Sequence, residues 1–385
     1  MASSLYIHLP FCKTKCPYCD FASFTEKNED QHKLYFQSLK NEIDFRCQDL
    51  TQKQELKTIF FGGGTPSIHD ALELSFIFEV LSQYFIFDKT TEITLEANPG
   101  TVDRQKLLGF KELGINRLSL GVQTFSEKLI SYLARGHTVQ EAKEIIELVK
   151  EIGFNSWSID LIYGLPHQSL DQWKETIDQA LAFNPPHISS YALSIEPSTP
   201  FGDIYKNSEH RDLPQEESVV QMYMYLNQIL EKNDINRYEI SNWAKQGHEA
   251  QHNLCYWRAN EYFAFGLSAH GFIDKKRYAN TRDLKQYLSD FSEVKSSDLN
   301  QAEFHILEAE ILERVDSQKA IEEEIFLKLR LKEGLNLSPK IEEKINTEKL
   351  NDFIKQGFIE NQGNRIILTN DALMISNKII FELIK

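Results

Sequence analysis

Short apolar runs alternate with amphipathic stretches through the first half of the chain, in a rhythm repeated about six times. Leu5–His8 reads as a strand, and Asp30–Cys47 as a helix with Tyr35, Leu39 and Ile43 on one stripe. Lys57–Phe61 is a second strand, and a helix is predicted near His69–Phe85. Strand Glu92–Glu96, helix Asp103–Leu113, strand Arg117–Gly121 and helices near Ser126–Leu133 and Thr138–Ile152 follow. Strand Ser156–Leu161, helix Leu170–Phe183 and strand Ile188–Leu193 complete the series. This β-then-α order predicts parallel strands covered by helices. The units are too few for a closed eight-fold barrel, and an open six-unit barrel fits the count.

In parallel β/α architectures ligands gather at the C-terminal ends of the strands. A triplet of cysteines follows the first predicted strand, Gly62–Thr65 the second, and Glu96, Asn98 and Pro99 end the third. Gly121 and Gln123 end the fourth, and Asp160 lies late in the fifth, so one rim should collect them all. Beyond a polar, turn-rich stretch come helix Glu216–Lys232 and strand Arg237–Ile240. Ser241–Gly271 is aromatic and glycine-bearing without clean periodicity. Near the end, Ser338-Pro339 starts a helix, Gly357 stops one, and Asn361–Asn364 joins two short strands as a hairpin. The expected division is a barrel over residues 1–200, a barrel extension over 201–300, and a smaller, mostly helical, winged-helix-like cover domain over 301–385.

Composition narrows the function classes. The 385 residues are 41% hydrophobic and 26% charged, ordinary for a globular chain. A net charge of −15 argues against general nucleic-acid binding, which needs a positive field. No apolar run approaches the ~20 residues that cross a bilayer. The opening residues have no basic, apolar leader pattern. The expectation is a cytoplasmic protein with at most peripheral membrane contact.

Cys12, Cys16 and Cys19 fall within eight residues, in the run H-L-P-F-C-K-T-K-C-P-Y-C-D-F. Three is an odd number for disulfides, and only Cys47 and Cys255 remain elsewhere. A tetrahedral zinc site would need a fourth ligand, for which His8 is a candidate. A Cys16–Cys19 redox pair would leave Cys12 unexplained. Three thiolates suit a [4Fe–4S] cluster with one iron left open. The C-x3-C-x2-C spacing resembles the signature of radical S-adenosylmethionine (SAM) proteins, which implies a partial (β/α)6 barrel and SAM chelating the open iron.

Gly62–Thr65 follows a strand and lacks the Lys-Ser/Thr of a nucleotide-binding P-loop. Glu96 suits ribose hydroxyls or an ammonium, although composition alone favours a helix cap or surface acid near the Asn98-Pro99 turn. The ordered set Y-I-H-L-P-F-C, F-F-G-G-G-T-P-S, L-E-A-N-P, R-L-S-L-G-V-Q-T-F, L-A-R-G-H and S-I-D-L-I-Y-G-L-P resembles the oxygen-independent coproporphyrinogen oxidase superfamily over most of the chain. The resemblance implies SAM contacts at Tyr6, Tyr18, Gly63, Gly64, Thr65, Glu96, Gln123, Arg135 and Asp160. Without it, Arg135 and Asp160 read as an ordinary surface ion pair.

That superfamily includes a coproporphyrinogen III dehydrogenase, which oxidatively decarboxylates two propionates, and a heme-chaperone branch. Three features point to the chaperone branch. Phe21 stands where the dehydrogenase pattern has a further cysteine, Cys12 lies close to the start, and H-N-L-C-Y-W (His252 to Trp257) matches an H-N-x-x-Y-W motif of that branch. The resemblance implies heme as cargo, acceptor hemoproteins such as respiratory enzymes as partners, and no assigned catalytic residue. His252 is then a candidate axial ligand, with Tyr256 and Trp257 against the porphyrin face and Arg258 near a propionate. Cys255 is a rival ligand, His270 a second one, and a structural histidine at a core edge the alternative for His252. Whether the chain forms a homodimer is open at this level.

Overall fold

Six strands fall where apolar residues alternate, and their alternation decides what faces inward. β1 (Ser4–Leu9), β2 (Thr58–Gly63), β3 (Glu92–Ala97), β4 (Arg117–Gln123), β5 (Ser156–Tyr163) and β6 (His187–Ala192) pair parallel, each with the next. This computed structural model describes residues 2–25, 29–206, 212–293 and 304–385. Successive strand residues point to opposite faces. Leu5, Ile7, Ile59, Phe61, Ile93, Leu95, Leu118, Leu120, Ile159 and Leu161 are buried in the main core. The intervening positions, among them Tyr6, Phe60, Thr94, Glu96, Ser119, Ser158 and Asp160, line a cavity inside the curved sheet. Polar alternation in strands otherwise built for a helix-covered sheet is thus the imprint of a lined interior.

The covering helices start where caps predict. α1 is Glu29–Cys47, and α2 (Ala71–Tyr84) opens with a reciprocal Asp70/Glu73 capping box. α3 (Arg104–Glu112) and α4 (Glu127–Tyr132) follow, then α5 (Val139–Ile152) and α6 (Leu170–Ala182), capped by Thr138/Glu141 and Ser169/Gln172 pairs. The predicted elements therefore appear, with ends displaced by one or two residues.

The stretch read as aperiodic contains three elements. After α7 (Pro200–Ile204), α8 (Glu216–Glu231) and β7 (Asn236–Glu239), the chain forms β8 (Asn242–Ala244), α9 (Gln251–Trp257) and β9 (Phe263–Phe265). β9 adds parallel to β1, and β8 and β7 add antiparallel beyond β6. The sheet order is β7-β8-β6-β5-β4-β3-β2-β1-β9, nine strands rather than six. Strands of three residues are too short to display a period, so only pairing reveals them.

A second sheet of β10 (His270–Ile273), β11 (Lys276–Ala279) and β12 (Ile311–Arg314) stands beside this edge. The last region combines α10 (Ser317–Lys328), α11 (Pro339–Lys344), α12 (Thr347–Lys355) and α13 (Ser376–Leu383) with a three-stranded sheet. Its strands β13 (Leu335–Asn336), β14 (Ile359–Asn361) and β15 (Arg365–Leu368) run in the order β13-β15-β14, a winged-helix-like arrangement with the predicted hairpin. Arg46 of α1, wholly buried, pairs with Glu42 one turn earlier on the same helix (2.8 Å) and ties α1 to the flanks of the second sheet through Glu310 (2.9 Å) and Asn280 (2.7 Å). The division set at 300/301 lies outside the described residues. Among the described residues no helix is long and apolar enough to cross a membrane.

Candidate cluster and cofactor site

The cysteine loop leaves β1 and crosses the C-terminal ends of the strands. Phe11–Cys12 pairs with Phe24–Thr25, and Cys19 N donates to Cys16 O at 3.1 Å, which closes a turn around Pro17. All five cysteines are free thiols. Cys12 and Cys16 are buried, Cys19 is half-buried, and all three line one cavity of about 770 Å³. Cys47 sits in the core, as its place on the α1 stripe predicts, and Cys255 packs 3.9 Å from the carbonyls of Asn260 and Glu261.

The triple glycine makes room chiefly for the protein itself. A Cβ on Gly63 (φ +112°) would lie 2.6 Å from the His8 ring, and one on Gly64 would lie 2.6 Å from the Phe11 carbonyl oxygen. The glycines thus let the cysteine loop lie directly on β2. Thr65 Oγ1 then donates to Cys12 Sγ at 3.4 Å. From the far side, Arg135 places Nη1 3.6 Å from Cys16 Sγ and 3.3 Å from the Tyr18 hydroxyl, while Nη2 donates to Gly121 O at 2.9 Å. Arg135 and Asp160 are therefore not the surface ion pair that bare sequence allows; both are cavity residues.

Burial pushes the Cys12 and Cys19 thiols up, so neutral thiols are favoured until positive charge arrives. Arg135 Nε is buried without a hydrogen-bond partner among the described residues. His8 is not a spare ligand. Its Nε2 donates to Ala22 O at 2.9 Å, which leaves Nδ1 to accept from the Tyr6 hydroxyl at 3.0 Å. Burial lowers its pKa to about 4. Three sulfurs, an orphaned cationic donor and open space, with neither His8 nitrogen free, fit a cubane cluster with one exposed iron better than tetrahedral zinc.

Across the cavity stand two half-buried carboxylates. Glu96 Oε2 accepts from Gly63 N at 3.2 Å, and burial together with the nearby Asp160 charge raises its pKa to about 7. Asp160 accepts from Ser119 Oγ at 2.6 Å and Ser158 Oγ at 2.7 Å, and burial raises its pKa. Gln123 also lines the cavity. It adopts φ +71° where the β4–β5 register shifts, a strained conformation for a non-glycine residue. Tyr6 stacks on Phe60 (6.1 Å), and Tyr18 stands beside Phe201 (6.4 Å). Ser119 and Ser158 went unnoticed in the sequence; their signal was the polar alternation itself.

The H-N-x-x-Y-W segment meets the same cavity from its other end. It forms α9, whose His252 N donates to Glu92 and whose His252 Nδ1 meets Thr58 Oγ1 at 2.8 Å. Thr58 and Glu92 begin their strands, so α9 closes the barrel end opposite the cysteine loop, roughly 16 Å away along a six-residue strand. His252 Nε2 meets the Tyr256 hydroxyl at 2.7 Å, so both ring nitrogens are engaged, and burial lowers its pKa to about 3. Trp257 does not line this cavity; its ring lies under Arg330. Arg258 pairs with Glu333 at 2.9 Å rather than facing a ligand. The arrangement around His252 is that of a satisfied structural histidine. Of the six motif residues, only His252, Asn253 and Tyr256 reach the main cavity.

A profile described as the radical SAM superfamily matches residues 6–180, from the first strand to the end of α6. The heme chaperone HemW of Escherichia coli (strain K12) is 41% identical over 270 residues, 70% of this chain and 70% of its own. The heme chaperone HemW of Bacillus subtilis (strain 168) is 33% identical over 384 residues, 98% of this chain and 97% of its own. Among solved structures, the coproporphyrinogen III oxidase HemN from Escherichia coli superposes with a TM-score of 0.81 at 22% identity, covering 98% of this chain and 89% of that one, a likeness of fold. With the cysteine loop on a partial parallel barrel and relatives of this identity over nearly the whole length, the chain belongs to the radical SAM superfamily and, within it, to the HemW family.

Proposed function

We propose that this chain carries a [4Fe–4S] cluster on Cys12, Cys16 and Cys19, binds SAM beside it, and serves as a chaperone that holds heme and passes it to acceptor hemoproteins. The observation that carries the cofactor part is the convergence of three thiols, the Arg135 guanidinium and two half-buried carboxylates on a single cavity. When bound, the cluster supplies an open iron for SAM and one-electron chemistry. Arg135 and Thr65 donate toward Cys16 and Cys12, which offsets the cost of two buried thiolates. Glu96 offers a carboxylate to the SAM ammonium or ribose. Asp160, held by two serines, keeps a second negative charge close by. Tyr6, Tyr18, Gly63, Gly64 and Gln123 complete the walls.

The heme part rests on the names and coverage of the relatives. Respiratory enzymes as acceptors, a cytoplasmic location and at most peripheral membrane contact belong to the same reading, with a homodimer as one form of the protein. Anaerobically reconstituted protein should contain iron and sulfide, and added heme should give a saturable Soret band. Zinc or no metal on the cysteines would refute the cofactor part, and heme absorption that never saturates would refute the chaperone part. Formation of protoporphyrinogen from coproporphyrinogen with SAM and a reductant would replace the chaperone by a dehydrogenase.

A further inference from the structure

A second cavity of about 480 Å³ lies next to the first, beyond β1 and under the β10–β11 hairpin. The two share Tyr6, Asp20, Phe21 and Tyr256 as a common wall. Three features of this space have no use in the cluster site. First, its aromatic walls are Phe21, which stands 68% exposed on the cysteine loop, and Tyr262 and Phe272 from a distant part of the chain. A large bare ring beside a cavity costs solvation and gains area when a flat apolar ligand covers it.

Second, His270 heads β10 with an exposed ring and no side-chain hydrogen bond among the described residues. That contrasts with His8 and His252, whose nitrogens are all engaged. Partial burial and the Arg282 charge hold its imidazole below the ordinary range, so it is neutral at pH 7 with a lone pair to give. Third, two guanidiniums stand at the same cavity. Arg282 is 62% exposed, held to the Asp20 carbonyl at 2.7 Å and 3.7 Å from the Asp20 carboxylate, an exposed pair that an incoming carboxylate can share. Arg277 lies over Phe272 (4.8 Å) and pairs with Glu323 (2.6 Å). Aromatic walls, an unengaged imidazole and an exposed guanidinium are the three parts an iron porphyrin with two carboxylates requires.

We infer that heme docks in this second cavity, with His270 as axial ligand, Phe21 and Tyr262 against the ring and Arg282 on a propionate. This rests on the chaperone reading and deepens it, since it moves the axial ligand from His252 to His270 on the hairpin beside the cysteine loop and keeps Tyr256 of the H-N-x-x-Y-W helix as a wall. Cargo and cluster are then neighbours separated by Phe21 and Tyr6. The position that sets Phe21 apart from a cysteine-bearing relative becomes one wall of the cargo site.

The test is anaerobic heme titration of the full chain, read by the Soret and visible bands, with iron and sulfide counted in parallel. His270→Ala should shift the bands and weaken binding about tenfold or more, the scale of a lost 1.4 kcal/mol contact. Added imidazole should restore the wild-type spectrum. Arg282→Glu should weaken binding without shifting the bands, because the iron ligand is intact. Circular dichroism and cluster content guard against misfolding. Wild-type spectra and affinity in His270→Ala would overturn the site, and so would loss of the spectrum in a folded His252→Ala alone. A wild-type protein that takes up no heme would instead sink the chaperone reading and this site with it.

Discussion

His252 and Tyr256, one turn apart on α9, are joined by a 2.7 Å hydrogen bond, while the other ring nitrogen of His252 meets Thr58 at the start of β2. The pair pins the helix that closes the lower end of the barrel. His252→Ala should remove both bonds and leave buried polar groups unmatched, a loss of about 2–4 kcal/mol. The thermal midpoint should fall by several degrees, while the heme bands of the folded fraction keep their positions. A variant as stable as wild type would show that the two bonds carry no weight.

Cluster assembly depends on three sulfurs at once. Replacing any of Cys12, Cys16 or Cys19 by alanine should abolish iron and sulfide uptake, because two thiolates do not hold a cubane with an open corner. Cys47→Ala, in the core away from the cavity, should keep the full complement and lose only packing energy. Iron and acid-labile sulfide assays decide between these outcomes.

Glu96 makes SAM binding pH-dependent. Its pKa is raised to about 7 by burial and by Asp160. Below pH 7 it is mostly neutral and attracts an ammonium weakly, so SAM affinity should rise between pH 6 and 8 and level off above. The sign for stability is opposite. A folded pKa above the ordinary 4.5 means the folded state holds the proton longer, so this contribution is present below pH 4.5 and declines as pH rises to 7. Glu96→Gln should flatten both dependences; calorimetric titration across that range is the check.

Acid should unfold the chain through its buried histidines. Burial lowers His8 and His137 to about 4 and His252 to about 3. Depressed folded pKa values mean the unfolded chain takes up protons first. Stability from these groups is therefore complete above about pH 6.5 and is lost as pH falls toward 4. Melting temperatures measured from pH 7 to pH 4 should fall steeply, and less so in His252→Gln once its lower starting point is subtracted.

Arg46 is the buried cation that joins α1 to the segment carrying Glu310 and Asn280. Arg46→Ala should strand Glu42, a carboxylate buried with no exposure, and cost about 3–5 kcal/mol. Arg46→Met together with Glu42→Gln should recover part of that loss, because the stranded charge is gone. Denaturant unfolding of the two variants separates a charge effect from a packing effect.

Local information carried much of this protein. Apolar alternation and helical periodicity are set by contacts within a few residues, so the six parallel strands and their helices were legible in the chain. The cysteine spacing and the rule that strand ends gather function placed Cys12, Thr65, Glu96, Gln123 and Asp160 on one rim before any coordinates. Tertiary structure alone decided that β8 and β9 join the sheet, since three-residue strands have no period of their own. It also decided the fate of the histidines. His252 and His270 look equally available in sequence, yet one is enclosed by Thr58, 194 positions away, and the other is left at a cavity edge. Whether an imidazole is a structural bond or a free ligand depends on what the rest of the chain packs over it, and that is written in contacts far apart in sequence.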